Sequence, residues 1–525
     1  MPEIQADVVI LGGGTGGCAA ALAAARLGRR VVMTEATDWI GGQMTSQAVP
    51  PDEHPWIEEF GCTRSWRRFR DGVRACFRDH FPLRGEARID ERTDLGGALV
   101  TKVPCPPEVA VKVIEQLLLP EKIAGRIIEL TRTRPIAAEV DGDRVRAVTV
   151  EHVDTGDLTV LHGTYFLDAT DGGDVLPLTG TEYVSGRESV EQTGEPHAAP
   201  EADPLDMQAI TWCFALDHLP GEDHTIERPE GYEFWRDFHP ESWPDRLLSF
   251  CAPDPEDPSR PRPMTLFDDA GSDGLFPLWR YRRLIESDQF VPGVMDSDIT
   301  LVNWPQNDYF LGPVLDVGAD EAARHLRGAR QLSLSLLYWL QTEAPRPDDG
   351  HGYPGLRLRG DLMGTLDGLA KAPYLRESRR IMAERTVVEQ DISSLVRPHG
   401  AVHYDDSVGV GAYRIDLHPS TGGGPYIDLP SWPFEIPLSA LIPIRVDNLL
   451  PAAKNLGTTH ITSGCYRLHP VEWNIGEAAG TLAAHCLDTR ATPRQVSHDR
   501  ARTEAFQRVL DDHGVERRWP RLRPL

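Results

Sequence analysis

The sequence has few cysteines, a deficit of positive charge and no long apolar segment. Its 8 cysteines are scattered with no Cys-x-x-Cys pair, which excludes a dithiol redox centre and a zinc ribbon. The net charge of −26, from 80 acidic and 54 basic side chains, disfavours nucleic acid and anionic membranes as partners. No apolar run approaches the roughly 20 residues that span a bilayer. No basic, apolar leader precedes the first strand, so we expect a cytoplasmic location, and we predict no metal site.

The first 36 residues carry the clearest local pattern. A strand, a glycine turn, a helix rich in alanine and leucine, and a second strand are predicted over residues 7–11, 12–17, 18–27 and 30–34. Gly12-x-Gly14-x-x-Gly17 has the spacing of a dinucleotide-binding turn, and Glu35 ends the second strand. The helix N-terminus would meet phosphates, and Glu35 would accept hydrogen bonds from ribose hydroxyls. This pattern predicts a nucleotide site.

Later segments would return to the same site. Gly41 and Gly42 leave backbone N–H groups free to approach a ligand, although an ordinary surface turn would look the same. A hairpin is predicted over residues 136–150, and a strand follows that ends in the glycine-rich turn 168–174. The chain closes with a short strand near residues 448–454 and a helix from about Val471 to Leu487.

The middle of the chain, from about residue 180 to 435, is crowded with proline, tryptophan and acidic residues. One long helix is predicted over Ala319–Thr342, and residues 253–263 are predicted to form a proline-rich loop. We expect this part to form a substrate-facing domain that closes over a pocket, with residues 303–308 in the pocket wall. The arginine-aromatic mixture of residues 62–81 favours a surface helix over a nucleic-acid site.

Together the motifs resemble the FAD-dependent oxidoreductases with the glutathione-reductase type of fold, in particular a large bacterial group sometimes labelled xanthan lyase-related. The resemblance covers most of the chain. It depends on the glycine turn with Glu35 and on residues 41–43, 166–170, 376–380, 448–460 and 476–484. Asp171 is a departure, because it stands where the family usually has glycine.

The resemblance implies that the cofactor is FAD and that the N-terminus of the final helix points at the flavin ring. The positive end of that helix would stabilise the negative charge of a reduced flavin. No second dinucleotide turn occurs, which disfavours reduction by a nicotinamide coenzyme through a dedicated domain. The expected FAD-binding residues are Gly12, Gly14, Thr15, Gly16, Gly17, Glu35, Ala36, Gly41, Gly42, Gln43, Thr45, Ala169, Thr170, Asp171, Arg376, Asn455, Pro470, Glu472, Trp473 and Asn474.

Four residues are candidates for catalysis. His469 stands just before the final helix with Arg467 nearby, and either could orient or deprotonate a hydroxyl substrate. Alternatively, His469 caps the helix and Arg467 holds a carboxylate. His460 lies close to the same turn and is a similar candidate. Glu377 is a candidate base, although a solvated helix would equally explain the charged run 376–380.

We therefore predict an α/β protein with a Rossmann-type FAD-binding domain, residues 1–179 and 436–525, and an interleaved α+β substrate domain, residues 180–435. The predicted activity is FAD-dependent dehydrogenation or oxidation, in which a polar, alcohol-type small molecule, sugar-like or a secondary metabolite, gives a hydride to flavin N5. Oxygen or another carrier would accept the electrons. The alternatives are flavin-dependent reduction of an activated alkene, or a lyase or binding protein in which FAD is structural.

Overall fold

A computed structural model describes residues 1–267 and 274–525. Its first part combines a Rossmann-type unit with an inserted helical segment and a hairpin. The elements in chain order are β1 (Glu3–Gln5), β2 (Val8–Leu11), α1 (Thr15–Arg26), β3 (Val31–Thr34), α2 (Arg64–His80), α3 (Gly85–Ile89), α4 (Pro107–Ile123), β4 (Ile127–Leu130), β5 (Thr133–Asp141), β6 (Arg144–His152), β7 (Leu158–His162), β8 (Tyr165–Asp168) and α5 (Val175–Thr179).

The middle part consists of short strands around one long helix. Its elements are β9 (Tyr183–Val184), α6 (Val190–Thr193), β10 (Ile210–Thr211), β11 (Phe214–His218), α7 (Tyr232–Asp237), β12 (Cys251–Pro253), β13 (Pro261–Thr265), β14 (Phe276–Pro277), α8 (Leu278–Tyr281), β15 (Arg283–Ile285), β16 (Ile299–Val302), β17 (Asp308–Tyr309), α9 (Ala319–Thr342), β18 (Leu356–Leu358), α10 (Gly360–Met363), β19 (Tyr374–Leu375), β20 (Arg380–Ile381), α11 (Glu389–Ile392), β21 (Ser407–Gly411), β22 (Ile415–Leu417), β23 (Ile427–Leu429) and β24 (Phe434–Pro437).

The last part returns to the first sheet and then becomes helical. It contains β25 (Leu449–Pro451), α12 (His460–Tyr466), α13 (His469–Thr489), α14 (Pro493–His498) and α15 (Arg500–His513). Among the described residues, no helix combines the length and the apolar character needed to cross a bilayer.

A five-stranded parallel sheet organises the fold, in the order β25-β8-β2-β3-β4. All four residues of β2 are buried, as expected for a β-branched strand covered on both faces. Since the strands are parallel, the segments that follow β2, β3, β8 and β25 all leave from one edge of the sheet. The predicted Rossmann-type α/β fold is confirmed, and its sheet takes a strand from each end of the chain.

Helices α1 and α13 cross at small residues on one face of this sheet. A Cβ added at Gly476 would lie 2.0 Å from the Gly16 carbonyl oxygen, and one added at Gly480 would lie 2.3 Å from the Ala20 carbonyl oxygen. Because only glycine permits this approach, the N-terminal turns of the two helices are held side by side. This contact brings the sequence near residue 470 to the glycine turn near residue 14.

Several local expectations are corrected by the structure. The proline-rich segment 253–263 contributes to an antiparallel pair, β12 with β13, in which Pro253 is paired with Pro261 and Cys251 with Pro263. The final helix begins at His469 and ends at Thr489, so it is longer than predicted at both ends. The charged run 376–380 does not form a solvated helix, because it ends in the short strand β20 and its arginines are buried.

Candidate functional site

In the glycine turn, Gly14 has free space where a side chain would project, whereas Gly12, Gly16 and Gly17 have none. A Cβ added at Gly12, Gly16 or Gly17 would lie about 2 Å from a backbone oxygen, so these glycines permit close packing. A Cβ added at Gly14 would lie 3.6 Å from the Ala169 carbonyl oxygen, with nothing nearer. The backbone at Gly14 is therefore approachable by a ligand, as the dinucleotide-binding spacing predicts.

The second pair of glycines closes against this turn. The Gly41 N–H donates to the Gly13 carbonyl oxygen at 2.7 Å, and the Thr15 hydroxyl donates to the Gly41 carbonyl oxygen at 3.0 Å. No described side chain caps the N-terminus of α1 at Gly14. The first-turn amides are thus available to bind an anion at the positive end of the helix.

Glu35 lies beside the turn at the end of β3. The Thr37 N–H and hydroxyl both donate to its Oε1 at 2.9 Å, which leaves Oε2 available for ribose hydroxyls. Burial raises the pKa of Glu35 to about 7. Its Cβ lies 2.9 Å from the position that a Cβ at Gly13 would occupy, so the carboxyl is held next to the glycine turn.

The departure at Asp171 is accommodated by an ion pair. The buried Lys454 ammonium donates to Asp171 Oδ1 at 2.8 Å, and the Asn455 amide donates to the Asp168 carbonyl oxygen at 3.0 Å. These two bonds join the segment after β25 to the segment after β8. Asp171 and Asn455 therefore lie at the same sheet edge as the glycine turn.

The start of α13 lies against the 41–43 segment. The Gln43 side-chain amide donates to the Glu472 carboxylate and, at 3.0 Å, to the Arg467 carbonyl oxygen. Gln43 Oε1 and both polar side-chain atoms of Gln47 are buried without a partner in the described part of the chain. Such atoms are ready to bond the polar edge of a ligand ring.

His469 is fully engaged by the backbone. Its Nδ1 accepts from the Asp52 N–H at 3.0 Å, and its Nε2 lies 3.1 Å from the Val49 carbonyl oxygen, to which the ring donates. Burial lowers the pKa of His469 to about 4, so the ring is neutral near pH 7. The geometry makes His469 the residue that fixes the 49–52 loop on α13, and proton transfer by this ring would break one of those bonds.

These features fit FAD. The free amides of α1 suit a pyrophosphate, Glu35 suits a ribose, and the open backbone at Gly14 leaves room for the phosphates. The unpartnered Oε1 of Gln43 and the unpartnered side-chain amide of Gln47 suit the hydrogen-bonding edge of an isoalloxazine ring.

Three expected FAD residues point elsewhere. The Trp473 indole donates to Ser65 Oγ at 2.7 Å and packs on α2, while the Asn474 amide donates to the Val410 carbonyl oxygen. The Arg376 guanidinium lies in the middle part of the chain. The structure does not bring these three side chains to the glycine turn.

A buried polar network lies on the sheet β17-β10-β19. Thr211 is paired in register with both Asp308 and Tyr374, so the three side chains share one face. Arg376 ion-pairs with Asp308 at 2.9 Å and donates to Thr211 Oγ1 at 2.8 Å. Although burial raises the pKa of a carboxyl, Arg376 and His418 hold the pKa of Asp308 at about 2.

Arg467 connects this network to the 41–43 segment. Its guanidinium donates to the Tyr374 hydroxyl at 2.9 Å and to Asp416 Oδ2 at 3.1 Å, while its carbonyl oxygen bonds Gln43. The expectation that Arg467 holds a carboxylate thus matches the observed contact. Asp416 lines a cavity of about 580 Å³, together with Tyr281, Tyr413 and Asp428.

His460 and Glu377 form a separate pair. His460 Nδ1 lies 2.9 Å from Glu377 Oε2, and Arg380 donates to the same carboxylate. Burial lowers the pKa of His460, but Glu377 outweighs it and the net shift is upward. The structure brings these two candidates together, away from His469 and on a different cavity from Arg467.

Sequence reasoning named Asp308 only as part of a predicted pocket wall, and it missed Asp416 and His418. A signal for two of them exists, because Asp416 and His418 alternate with apolar residues in a short strand, so both point to one side. Nothing in the local sequence indicates that this strand passes Arg467.

Comparisons with known proteins agree with this geometry. Residues 7–510 match the model of the family described as FAD dependent oxidoreductase. No curated protein matches the chain.

Several solved structures are similar to parts of this chain. L-proline dehydrogenase from P. horikoshii is 17% identical, with a TM-score of 0.17, over 35% of this chain and 24% of that one. The rebeccamycin biosynthetic enzyme RebC with reduced flavin is 17% identical, with a TM-score of 0.23, over 42% and 39%. Glycerol-3-phosphate dehydrogenase from Bacillus halodurans with FAD is 12% identical, with a TM-score of 0.23, over 41% and 40%. The chain thus spans less than half the length of each.

The family match extends over nearly the whole chain, and the residues around the glycine turn fit the cofactor that the family uses. The predicted cofactor and enzyme class are therefore confirmed, and this chain belongs to the FAD-dependent oxidoreductase family.

Proposed function

We propose that this enzyme oxidises a polar, alcohol-type small molecule, sugar-like or a secondary metabolite, in the 580 Å³ cavity. The observation that carries the proposal is the position of Arg467, whose carbonyl oxygen accepts from Gln43 while its guanidinium bonds a cavity-lining carboxylate. Bound FAD supplies the hydride acceptor. The substrate hydroxyl gives up a proton as its carbon gives up the hydride, so a carbonyl compound is the product.

The cavity lining suits a hydroxylated substrate. Burial raises the pKa of Tyr281 and of Tyr413, so both phenols stay neutral and can donate hydrogen bonds. Although burial opposes it, His418 and Arg467 hold the pKa of Asp416 well below its ordinary value, so this carboxylate accepts hydrogen bonds at all ordinary pH values. Two aromatic rings beside a carboxylate bind a ring that carries hydroxyls better than an apolar one.

Arg467 is proposed to orient the substrate beside the flavin. Its buried Nε has no hydrogen-bond partner in the described part of the chain, so it can still donate to a substrate oxygen. His469 is proposed to act through the 49–52 loop, whose continuation at Glu53 and His54 lines the same cavity. His460 and Glu377 stay separate candidates for catalysis, and their mutual contact lies on the other cavity.

The first test is spectroscopic. Heat-released cofactor is identified by mass, and the purified holoenzyme is mixed anaerobically with polyols, sugars and secondary-metabolite alcohols while the flavin absorbance is followed. We expect bleaching by a hydroxylated compound and re-oxidation by oxygen or another carrier. Turnover without bleaching would support the lyase alternative, and re-oxidation of reduced enzyme by an activated alkene alone would support the alkene reductase.

A matched pair of variants locates the substrate. Asp416→Asn removes the carboxylate that Arg467 holds, and we expect KM to rise roughly tenfold or more because a charge-assisted hydrogen bond is lost. Asp428→Asn is the control, since Asp428 lines the same cavity but bonds Arg414. Equal effects of the two changes on KM would contradict the proposed substrate position.

A further inference from the structure

The carboxylates that line the 580 Å³ cavity are all neutralised by arginines. Each of the three forms an ion pair with a different guanidinium group. The pairs are Glu53 with Arg70 at 2.8 Å, Asp416 with Arg467 at 3.1 Å, and Asp428 with Arg414. None of these carboxylates therefore needs a cationic group from a ligand, and none is left to neutralise a further arginine of the lining.

Two arginines of the same lining have no anionic partner. Arg262 lies on β13 and is half-buried, whereas Arg523 follows α15 and is exposed. Within residues 1–267 and 274–525 neither guanidinium forms an ion pair or a hydrogen bond. The Arg262 guanidinium lies over the Phe276 ring, 4.0 Å from its centroid. This contact holds the cation at the cavity without neutralising its charge.

The other charged groups around the cavity do not compensate these two guanidinium groups. Arg414 is already engaged by Asp428, Glu256 and the Leu525 carbonyl oxygen. Burial lowers the pKa of His54 to about 4, so this ring is neutral near pH 7. The lining thus has a local excess of positive charge in a chain whose net charge is −26. Such an excess attracts an anionic ligand that the rest of the surface would repel.

The two parts of the cavity differ in exposure and in charge. Arg467, which bonds the lining residue Asp416, is 3% exposed, and the charges of this pair cancel. The uncompensated guanidinium groups of Arg262 and Arg523 are the ones nearer to solvent. A substrate whose hydroxyl lies at Arg467 would therefore extend its other end toward two free cations.

Building on the oxidation proposed above, we propose that the substrate carries an oxyanion, a carboxylate or a phosphate, at the end remote from the oxidised hydroxyl. Arg262 and Arg523 would bind this group, because a guanidinium presents paired N–H donors that match the oxygens of either anion. The volume of about 580 Å³ lies within the range of small-molecule sites, so a hydroxylated chain or ring fits between the two ends. The substrate class is thus an anionic polyhydroxy compound, such as a sugar acid or a sugar phosphate.

The test compares three matched probes by calorimetric titration of the oxidised, FAD-loaded protein. Sorbitol is the neutral probe, and gluconate and sorbitol 6-phosphate keep its hydroxylated chain but add a carboxylate or a phosphate. We expect one of the two anions to bind roughly tenfold or more tightly than sorbitol, and the stronger of them identifies the oxyanion. Equal or tighter binding of sorbitol, or no binding of either anion, would overturn the proposal.

Variants of the two arginines assign the site. Arg262→Gln should weaken binding of the preferred anion roughly tenfold, and Arg523→Gln roughly two- to fivefold because this residue is exposed. The Kd for sorbitol should not change in either variant. Arg521→Gln is the matched control, since Arg521 is exposed on the same segment but lines a different cavity.

A charge-preserving variant covers a failure of Arg262→Gln to fold. Arg262→Lys keeps a cation beside the Phe276 ring, so it should keep most of the preference for the anion over sorbitol. An unchanged preference in both glutamine variants, or an equal loss in Arg521→Gln, would contradict the placement of the oxyanion.

The oxidation and the anionic substrate class fail in different ways. If sorbitol bleaches the flavin as readily as the two anions do, the anionic class is wrong and the oxidation stands. If an anion binds selectively but no hydroxylated compound bleaches the flavin, the anion site stands and the oxidation is wrong.

Discussion

Replacing Gly14 with alanine separates folding from cofactor binding. Gly14 has φ of −66°, which alanine adopts without strain, and the new Cβ would lie no closer than 3.6 Å to its neighbours. The apoprotein should therefore be at least as stable as the wild type. A less flexible unfolded chain adds about 0.4–1 kcal/mol to the free energy of unfolding. The same Cβ occupies the face along which the FAD pyrophosphate must approach the first-turn amides of α1.

We expect the Gly14→Ala substitution to weaken the binding of FAD. Losing one charge-assisted hydrogen bond costs about 1.5–3 kcal/mol, so Kd for FAD should rise roughly 10- to 150-fold, as measured by quenching of flavin fluorescence on titration into apoprotein. Gly16→Ala is the contrast, because its Cβ would lie 1.9 Å from the Ala452 carbonyl oxygen and should destabilise the apoprotein by at least about 1–3 kcal/mol. A folded Gly14→Ala protein with wild-type affinity would refute the placement of the pyrophosphate.

Three further changes test other parts of the site. His469→Ala removes a fully buried ring and two bonds to the backbone, so the free energy of unfolding in urea should fall by about 2–5 kcal/mol, and an unchanged midpoint would contradict this role. Because burial raises the pKa of Glu35 to about 7, the folded apoprotein holds a proton that the unfolded chain releases, and its stability falls as pH rises from about 4.5 to 7. Urea denaturation from pH 5 to pH 8 should show a weaker fall in the free energy of unfolding for Glu35→Gln than for the wild type. An identical dependence on pH in the two proteins would exclude Glu35 as a source of the fall. Arg467→Lys keeps the charge but loses the fork that joins Tyr374 to Asp416, so KM should rise about tenfold with FAD still bound, whereas loss of FAD would indicate a cofactor role.

The Rossmann-type unit could be predicted because its signals are local. The strand β2, the glycine turn and α1 are adjacent in the chain. Each is predicted by a pattern within its own residues, namely an apolar run, a glycine spacing and an alanine-rich stretch. The same holds for α9, whose apolar spacing gave both ends correctly. The strands β10, β17 and β19 have two residues each, and their pairing joins positions about a hundred or more residues apart. A two-residue strand has no period to detect, so this sheet could not be predicted.

The site shows the same division between local and distant information. Glu35 could be placed by its distance from the glycine turn, whereas the role of His469 depends on Asp52, which is 417 positions away. The charged run 376–380 is typical of a solvated helix when its partners are unknown. Arg376 is 2% exposed because Asp308 neutralises it, and that carboxylate belongs to a different strand.

The two cavities are connected by one rigid element, and this affects how variants of His460 are interpreted. Helix α12 begins at His460 and ends next to Arg467, and a Cβ at Gly464 would lie 2.9 Å from the Asp416 backbone, so the helix cannot shift without moving Asp416. A slower flavin reduction in His460→Gln could therefore arise from lost proton transfer or from a displaced Arg467. The pH dependence separates the two causes. A displaced arginine lowers the rate by one factor at every pH, whereas loss of an acid-base group removes the limb of the pH profile that reports its titration.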